Sequence, residues 1–292
     1  MTHSYDRFAP HFDAWQLAFG APYDALILPR VLGALARHAP RARRIADLGA
    51  GTGELAVALA TRGYRVIAVD RSVPMLAVAR PKAAALGLAA PPEFVRQDLR
   101  TLRLERPVDA ALCVYTVMNQ LTDDGDLARA LAATRDALVP DGVFVFELNL
   151  AASYTRYWSG SERIVLEDAV VERTHHRLPG SSVIEARVTI RPRGDRAAGE
   201  VTDRIRQRPY DDPEVETALA HAGLALLERT RFNPFAPAEP PVKALWCARR
   251  PSPTRDSVSA RGGTASMPPG GESERRAAAG KAGAADLSGR AR

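Results

Sequence analysis

From residue 40 onward, short apolar runs alternate with helical patterns, and this rhythm constrains the fold more than any other feature of the chain. RRIADLG (43–49), YRVIAVD (64–70), EFVRQDL (93–99), VDAALCVYTV (108–117) and VFVFELN (143–149) read as strands. Between them, GELAVALATRG (53–63), SVPMLAVARPKAAALG (72–87) and DDGDLARALAATRDALVPDG (123–142) read as helices. Ser72 is the expected N-cap of the second helix, and Pro81 predicts a kink or break in it. Pro140 is expected to stop the third helix, with Asp141-Gly142 turning the chain into the next strand. Strand and helix in this order imply a doubly wound α/β fold, a mostly parallel sheet covered on both faces. Residues 151–208 break the rhythm. Their β-branched runs of alternating polarity predict a small antiparallel excursion of two to four strands after the fifth strand. DDPEVETALAHAG (211–223) is a helix capped by Asp211 or Asp212 and ended by Gly223, and LALLERTRF with VKALWCARR supplies a final strand pair. The sheet then has seven strands, with an antiparallel last strand.

The first strand runs into IADLGAGTGE, where Gly49, Gly51 and Gly53 fall within five positions. In a doubly wound sheet, ligands lie beyond the carboxyl ends of the strands, at the point where strand order reverses. Glycines there permit a tight turn and let a ligand approach bare main chain, beside the free N–H groups of the next helix. Asp70 ends the second strand, 23 residues after Asp47, near the offset of about 20 at which a carboxylate reaches ribose hydroxyls. Asp98 ends the third strand, where a carboxylate reaches an adenine amino group. Dinucleotide binders space their glycines G-x-G-x-x-G. Here the spacing is G-x-G-x-G, with Glu54 where the last small residue belongs, and no Tyr-x-x-x-Lys pair occurs in the chain.

Asp47, the compact glycine spacing and the two later acids together resemble the class I S-adenosylmethionine-dependent methyltransferases, over residues 40–150 and again over 213–249. The resemblance implies a Rossmann-like core with S-adenosylmethionine as cofactor. It places the glycine-loop role on Gly49, Ala50, Gly51 and Gly53, with Asp47 beside the methionine part. The ribose role falls on Asp70, with Arg71 and Met75 flanking the adenine; the adenine-amino role falls on Asp98, with Leu99 next to it. The fourth strand end, CVYTVMNQL, lacks the N-P-P-Y-type sequence of many enzymes that methylate nucleic-acid bases, which points to a small-molecule acceptor. The opening YDRFAPHFDAW and the insertion further resemble small-molecule N- or O-methyltransferases. They divide the chain into an N-terminal helical lid (1–40), a cofactor-binding core (41–150 and 209–250), a β-rich substrate cover (151–208) and a tail (251–292).

Methyl transfer from a sulfonium needs alignment and exclusion of water more than a nucleophile, triad or metal. Acceptor-side candidates are accordingly aromatic or polar residues near the expected site. Tyr5, Phe12, Trp15 and Tyr23 sit in the lid and serve either to shelter a ligand or to pack on the sheet edge. Tyr115 and Asn119 lie beyond the fourth strand and are candidates to touch ligand; Tyr115 is also assigned to the cofactor pocket. Glu147 and Asn149 close the fifth strand, and either orient substrate or cap the strand end. Tyr154, Tyr157 and Trp158 line a pocket or form the insertion's own core. His11 is the one histidine worth testing as a base; His175 and His176 are adjacent and point to opposite faces of a strand. Asp123-Asp124 reads as a helix cap, and no metal is expected.

Composition bears on partners. The net charge is +6, but residues 251–292 hold seven basic against four acidic side chains, leaving 33 against 30, or +3, for the rest. That balance is spread without a basic stripe, so nucleic-acid binding is not expected. The tail has no Phe, Trp, Tyr or Ile and is expected to be disordered. Two scattered cysteines, Cys113 and Cys247, and the lack of a signal peptide or membrane-spanning run imply a cytoplasmic protein. The rival readings are a nicotinamide-dependent reductase and a non-catalytic module that binds S-adenosylmethionine. Oligomeric state is not legible.

Overall fold

A computed structural model describes residues 5–18, 23–193 and 199–253, with backbone only at 23 and 24. Most of the expected disordered tail, residues 254–292, lies outside the described residues. The elements are α1 (Phe12–Leu17), α2 (Tyr23–His38), β1 (Arg44–Leu48), α3 (Glu54–Ala60), β2 (Arg65–Asp70), α4 (Val73–Ala85), β3 (Glu93–Arg96) and β4 (Val108–Cys113). They continue with α5 (Asp126–Ala137), β5 (Leu138–Asn149), α6 (Ala151–Tyr157), β6 (Ser161–Val165), β7 (Ala169–Arg177), β8 (Ile184–Pro192), β9 (Val201–Gln207), α7 (Asp212–His221), β10 (Ala225–Phe232) and β11 (Lys243–Arg249).

One sheet has seven strands in the order β10-β11-β5-β4-β1-β2-β3, and β6 to β9 form a second, antiparallel sheet of four. β1 to β5 run parallel, and β11 lies antiparallel between β5 and β10. Alternation along each strand divides the core. Ala46, Leu48, Ala111 and Cys113 face Leu127, Leu131, Val215 and Leu219 of α5 and α7. Ile45, Ala110 and Leu112 face Ile27, Val31, Leu59 and Leu76 of α2, α3 and α4. This period-two division is what both-face burial of a parallel sheet requires. Among the described residues no helix is long and apolar enough to cross a membrane.

A third apolar cluster joins Phe8, Ala9 and Phe12 of the N-terminal segment to Val171, Val188, Ile190 and Ile205 of the small sheet, with Met75 of α4 between them. Asp203 of β9 fixes the segment by accepting from the main-chain N–H of Arg7 (3.1 Å) and of Phe8 (3.0 Å).

The structure departs from the sequence reading in four places. α4 runs unbroken through the exposed Pro81, because burial of Leu76, Ala79 and Ala83 on its other face outweighs one lost hydrogen bond. Helix α5 ends at Ala137, ahead of Pro140, and Leu138 already pairs with Val108; Asp141-Gly142 is a register shift within β5, with Asp141 at φ 62°. Gly125, not Asp123 or Asp124, caps α5, its φ of 76° closing the turn while the Asp123 carbonyl accepts from Asp126 N–H. The insertion opens with a helix, α6, before its strands.

Ser72 does cap α4, its Oγ accepting from Met75 N–H at 3.2 Å while the hydroxyl donates to Asp6 Oδ1 at 2.7 Å. Ser72→Ala should therefore cost about 1 kcal/mol in chemical denaturation and weaken cofactor binding a few-fold, because a clasp on the N-terminal segment is lost.

Candidate functional site

β1 and β4 are neighbours whose connections leave in opposite directions, and the glycine turn follows β1 at this switch point. Gly49 and Ala50 both donate to the Val69 carbonyl, at 2.8 and 2.9 Å, which ties the turn to the end of β2. Gly49 sits at φ 78°, and a Cβ there would lie 2.6 Å from Val117 Cγ2. Gly51 (φ 53°) would carry its Cβ into open space, and its N–H donates to Asp70 Oδ2 at 2.8 Å. Gly53 is the N-cap of α3.

The turn borders a cavity of about 1160 Å³, counted to its open mouth. Of the residues assigned to the cofactor, Asp47, Gly49, Ala50, Gly51, Asp70, Arg71, Met75, Asp98, Leu99 and Tyr115 line it, and Gly53 does not. Asp47 is 2% exposed, and its Oδ2 has no hydrogen-bond partner in the protein. Burial, and then the charge of Asp70, pushes its carboxyl up to about 7. Burial also raises Asp70, against the N–H groups of Ser72 (2.8 Å) and Gly51 that its oxygens accept. A carboxylate has about four acceptor positions, so both retain capacity toward a ligand. Asp98 lines the cavity with a partner that the sequence reading did not assign. Its oxygens are held by Arg100 at 2.8 and 2.6 Å, which lowers its pKa, and Arg100 also reaches Asp126 at 3.1 Å.

The acceptor-side candidates divide. Tyr5 and Tyr115 line the cavity, as does Phe12; burial raises the Tyr5 hydroxyl to about 12. The others are placed in packing and braces outside the lining. Trp15 packs edge-on against Phe8 and tilted against Phe12, with the Arg173 guanidinium 5.2 Å from its ring, and Trp158 contacts Tyr154, His175 and the same guanidinium. The Asn119 side chain accepts from Asn149 N–H (2.8 Å) and donates to the Arg208 carbonyl (2.8 Å). Tyr154 donates to Gln207 Oε1 at 3.1 Å, and Asn149 to the same atom at 3.4 Å. His11 pairs with Asp168 at 3.1 Å. Tyr157 packs on Phe235. Glu147 is fully buried against Lys243 at 2.6 Å. His176 is exposed, while burial lowers His175 to about 4. The side chain of Tyr23 lies outside the described residues.

Local sequence gave no sign of the clasps that close the N-terminal segment over the turn. Thr52 donates to Asp13 Oδ1 (2.6 Å), and Lys82 bridges Asp13 (2.6 Å) and Glu54 (2.9 Å). Among the described residues, His38, Glu228 and Cys247 bring possible metal ligands together. Arg37, His38 and Thr230 already occupy the Glu228 oxygens, and none of the three donors lines the cavity.

A glycine turn at the switch point, a buried carboxylate with an orphaned oxygen and an acid ending β2 fit S-adenosylmethionine, and with this fold they define a class I methyltransferase. Residues 45–142 match the family described as methyltransferase domain. The chain is 29% identical over 262 residues to a Geobacillus sp. (strain WCH70) protein named as a methyltransferase, covering 85% of this chain and 100% of that protein. Its fold is similar to that of an S-adenosylmethionine-dependent methyltransferase from Clostridium acetobutylicum ATCC 824 (TM-score 0.71, 19% identity, 85% of this chain and 99% of the other). It is also similar to that of the sugar N-methyltransferase KedS8 from Streptoalloteichus sp. ATCC 53650 (TM-score 0.61, 22% identity, 86% and 94%). The chain carries a methyltransferase domain on a Rossmann-like fold, and S-adenosylmethionine is its cofactor.

Proposed function

We propose that the chain transfers a methyl group to a nitrogen of a small molecule, with amino sugars the first class to test. The observation that carries this reading is the charge of the cavity. Among the described residues neither Asp47 nor Asp70 is in an ion pair, and the lining holds five carboxylates, Asp47, Glu54, Asp70, Asp98 and Asp126, against two arginines, Arg71 and Arg100, with no histidine or lysine. Such a wall favours cations and offers no imidazole base. An amine acceptor suits it, because it is attracted as the ammonium and needs only to shed one proton to water or a carboxylate before it reacts. A hydroxyl acceptor asks more of a base.

Bound S-adenosylmethionine supplies an electrophilic methyl on a sulfonium. The chain's own part is to hold and enclose. Asp47 and Asp70 draw the cationic cofactor, the glycine turn gives it bare main chain, and Tyr5, Phe12 and Tyr115 form an aromatic wall that keeps water away. Excluding water and fixing two reactants in line is worth about 7–11 kcal/mol of barrier. The glycine turn and the aromatic residues Tyr5, Phe12 and Tyr115 line the same cavity, so cofactor and acceptor share one site. The fold shared with a sugar N-methyltransferase supports the amino-sugar arm.

The test is turnover on matched pairs of amino sugars and their hydroxyl analogues, read as S-adenosylhomocysteine formed, with the methyl located by mass spectrometry. Methylation of amines and not of the hydroxyl partners is expected. Activity confined to hydroxyls, or to an RNA included in the panel, would refute the reading.

A further inference from the structure

We infer that Gln207, at the end of β9 in the cover sheet, is a positioning residue for cofactor binding: it holds the left-handed corner after β4 that borders the pocket. Tyr115 and Thr116 stand at φ 66° and 61°. Two consecutive non-glycine residues in this region, one of them β-branched, persist only where their surroundings over-determine them. The cover supplies that constraint from outside the core. Gln207 is fully buried and its Nε2 donates to Thr116 Oγ1 at 3.1 Å. Its Oε1 accepts from Tyr154 and Asn149, which fixes which end of the amide faces Thr116. The next residue grips the corner a second time, Arg208 N–H donating to the Asn119 carbonyl at 2.9 Å. The corner in turn bears on the cofactor, since Tyr115 lines the pocket and Val117 packs against Gly49.

Cover, corner and glycine turn thus form one contiguous chain of contacts, and the seating of the cover sets the shape of the cofactor site. The inference concerns the cofactor alone and stands whatever the acceptor is. It is tested with Gln207→Leu, the isosteric Thr116→Val, and the double variant, by calorimetry with S-adenosylhomocysteine well below each melting temperature. Each single change should raise Kd about tenfold, and the double should lose no more than Gln207→Leu alone, because that change already removes the bond to Thr116 along with those from Tyr154 and Asn149. A Kd within twofold of the parent for the singles, or losses that multiply toward a hundredfold in the double, would overturn it. Should Gln207→Leu fail to fold, Thr116→Val alone decides on the same tenfold criterion, since it alters neither volume nor the cover.

Discussion

Gly49→Ala should raise the dissociation constant for S-adenosylmethionine more than a hundredfold. Two costs add. An L-residue at φ 78° loses roughly 1–2 kcal/mol against glycine. The new Cβ would also stand 2.6 and 2.7 Å from the two methyl carbons of Val117, distances at which something must move. Val117 follows the strained corner directly, so it yields only by shifting the turn, the corner or both, and each borders the pocket. Roughly 3 kcal/mol in total corresponds to the hundredfold, at about 1.4 kcal/mol for each factor of ten. Gly49→Ala combined with Val117→Ala removes the collision and leaves only the backbone cost, so about a tenfold loss should remain. Calorimetric titration of both variants checks this. A Gly49→Ala protein that binds within threefold of the parent would show that the turn is not the cofactor's seat.

What sequence made legible was local. The alternation of apolar strands and helical patterns, the glycine turn, the Ser72 cap and the Asp211 cap all depend on residues within a few positions of one another, and each stands in the structure. Asp70 reads correctly as the acid ending β2 for the same reason. What sequence could not show were partners brought from far away. Asn119 reads as a ligand-facing residue because it follows β4, yet the carbonyls it serves belong to residues 149 and 208. Trp15 of the lid and Trp158 of the cover are far apart in sequence, and the Arg173 guanidinium lies against both rings. Asp13, which reads as an unremarked lid residue, closes on Thr52 and Lys82. Asp98 is the instructive exception. Its guanidinium partner is only two residues on, so the basic side chain of Arg100 was a signal in plain view.

Asp47→Asn should stabilise the cofactor-free protein while abolishing tight binding, and both effects should depend on pH in a definite sense. The folded state holds the Asp47 proton up to about 7, against an ordinary value of 3.8. The folded form therefore binds this proton more tightly than the unfolded chain. Its contribution to stability is greatest below about pH 4, declines as pH rises through the interval, and is fully lost above about pH 7. An offset of about three units sets the loss at roughly 4 kcal/mol or less. Asparagine cannot ionise, so at about pH 8 the variant should melt several degrees higher, at roughly 2–4 °C per kcal/mol for a domain of this size. At about pH 4 the two proteins should melt nearly together. Binding runs the other way. The parent should hold S-adenosylmethionine more tightly as pH rises from about 5.5 to about 7.5, because the ionised carboxylate meets a fixed sulfonium charge, and binding should release a proton below about pH 7. The variant should show a flat profile and a Kd more than a hundredfold higher near neutrality. Melting curves at the two pH values and titrations in buffers of different ionisation enthalpy measure all of this. An Asp47→Asn protein that binds as well as the parent, or melts lower at about pH 8, would remove Asp47 from the cofactor site; if both predicted shifts occur, the buried charge that strains the empty fold is the one that draws the cofactor in.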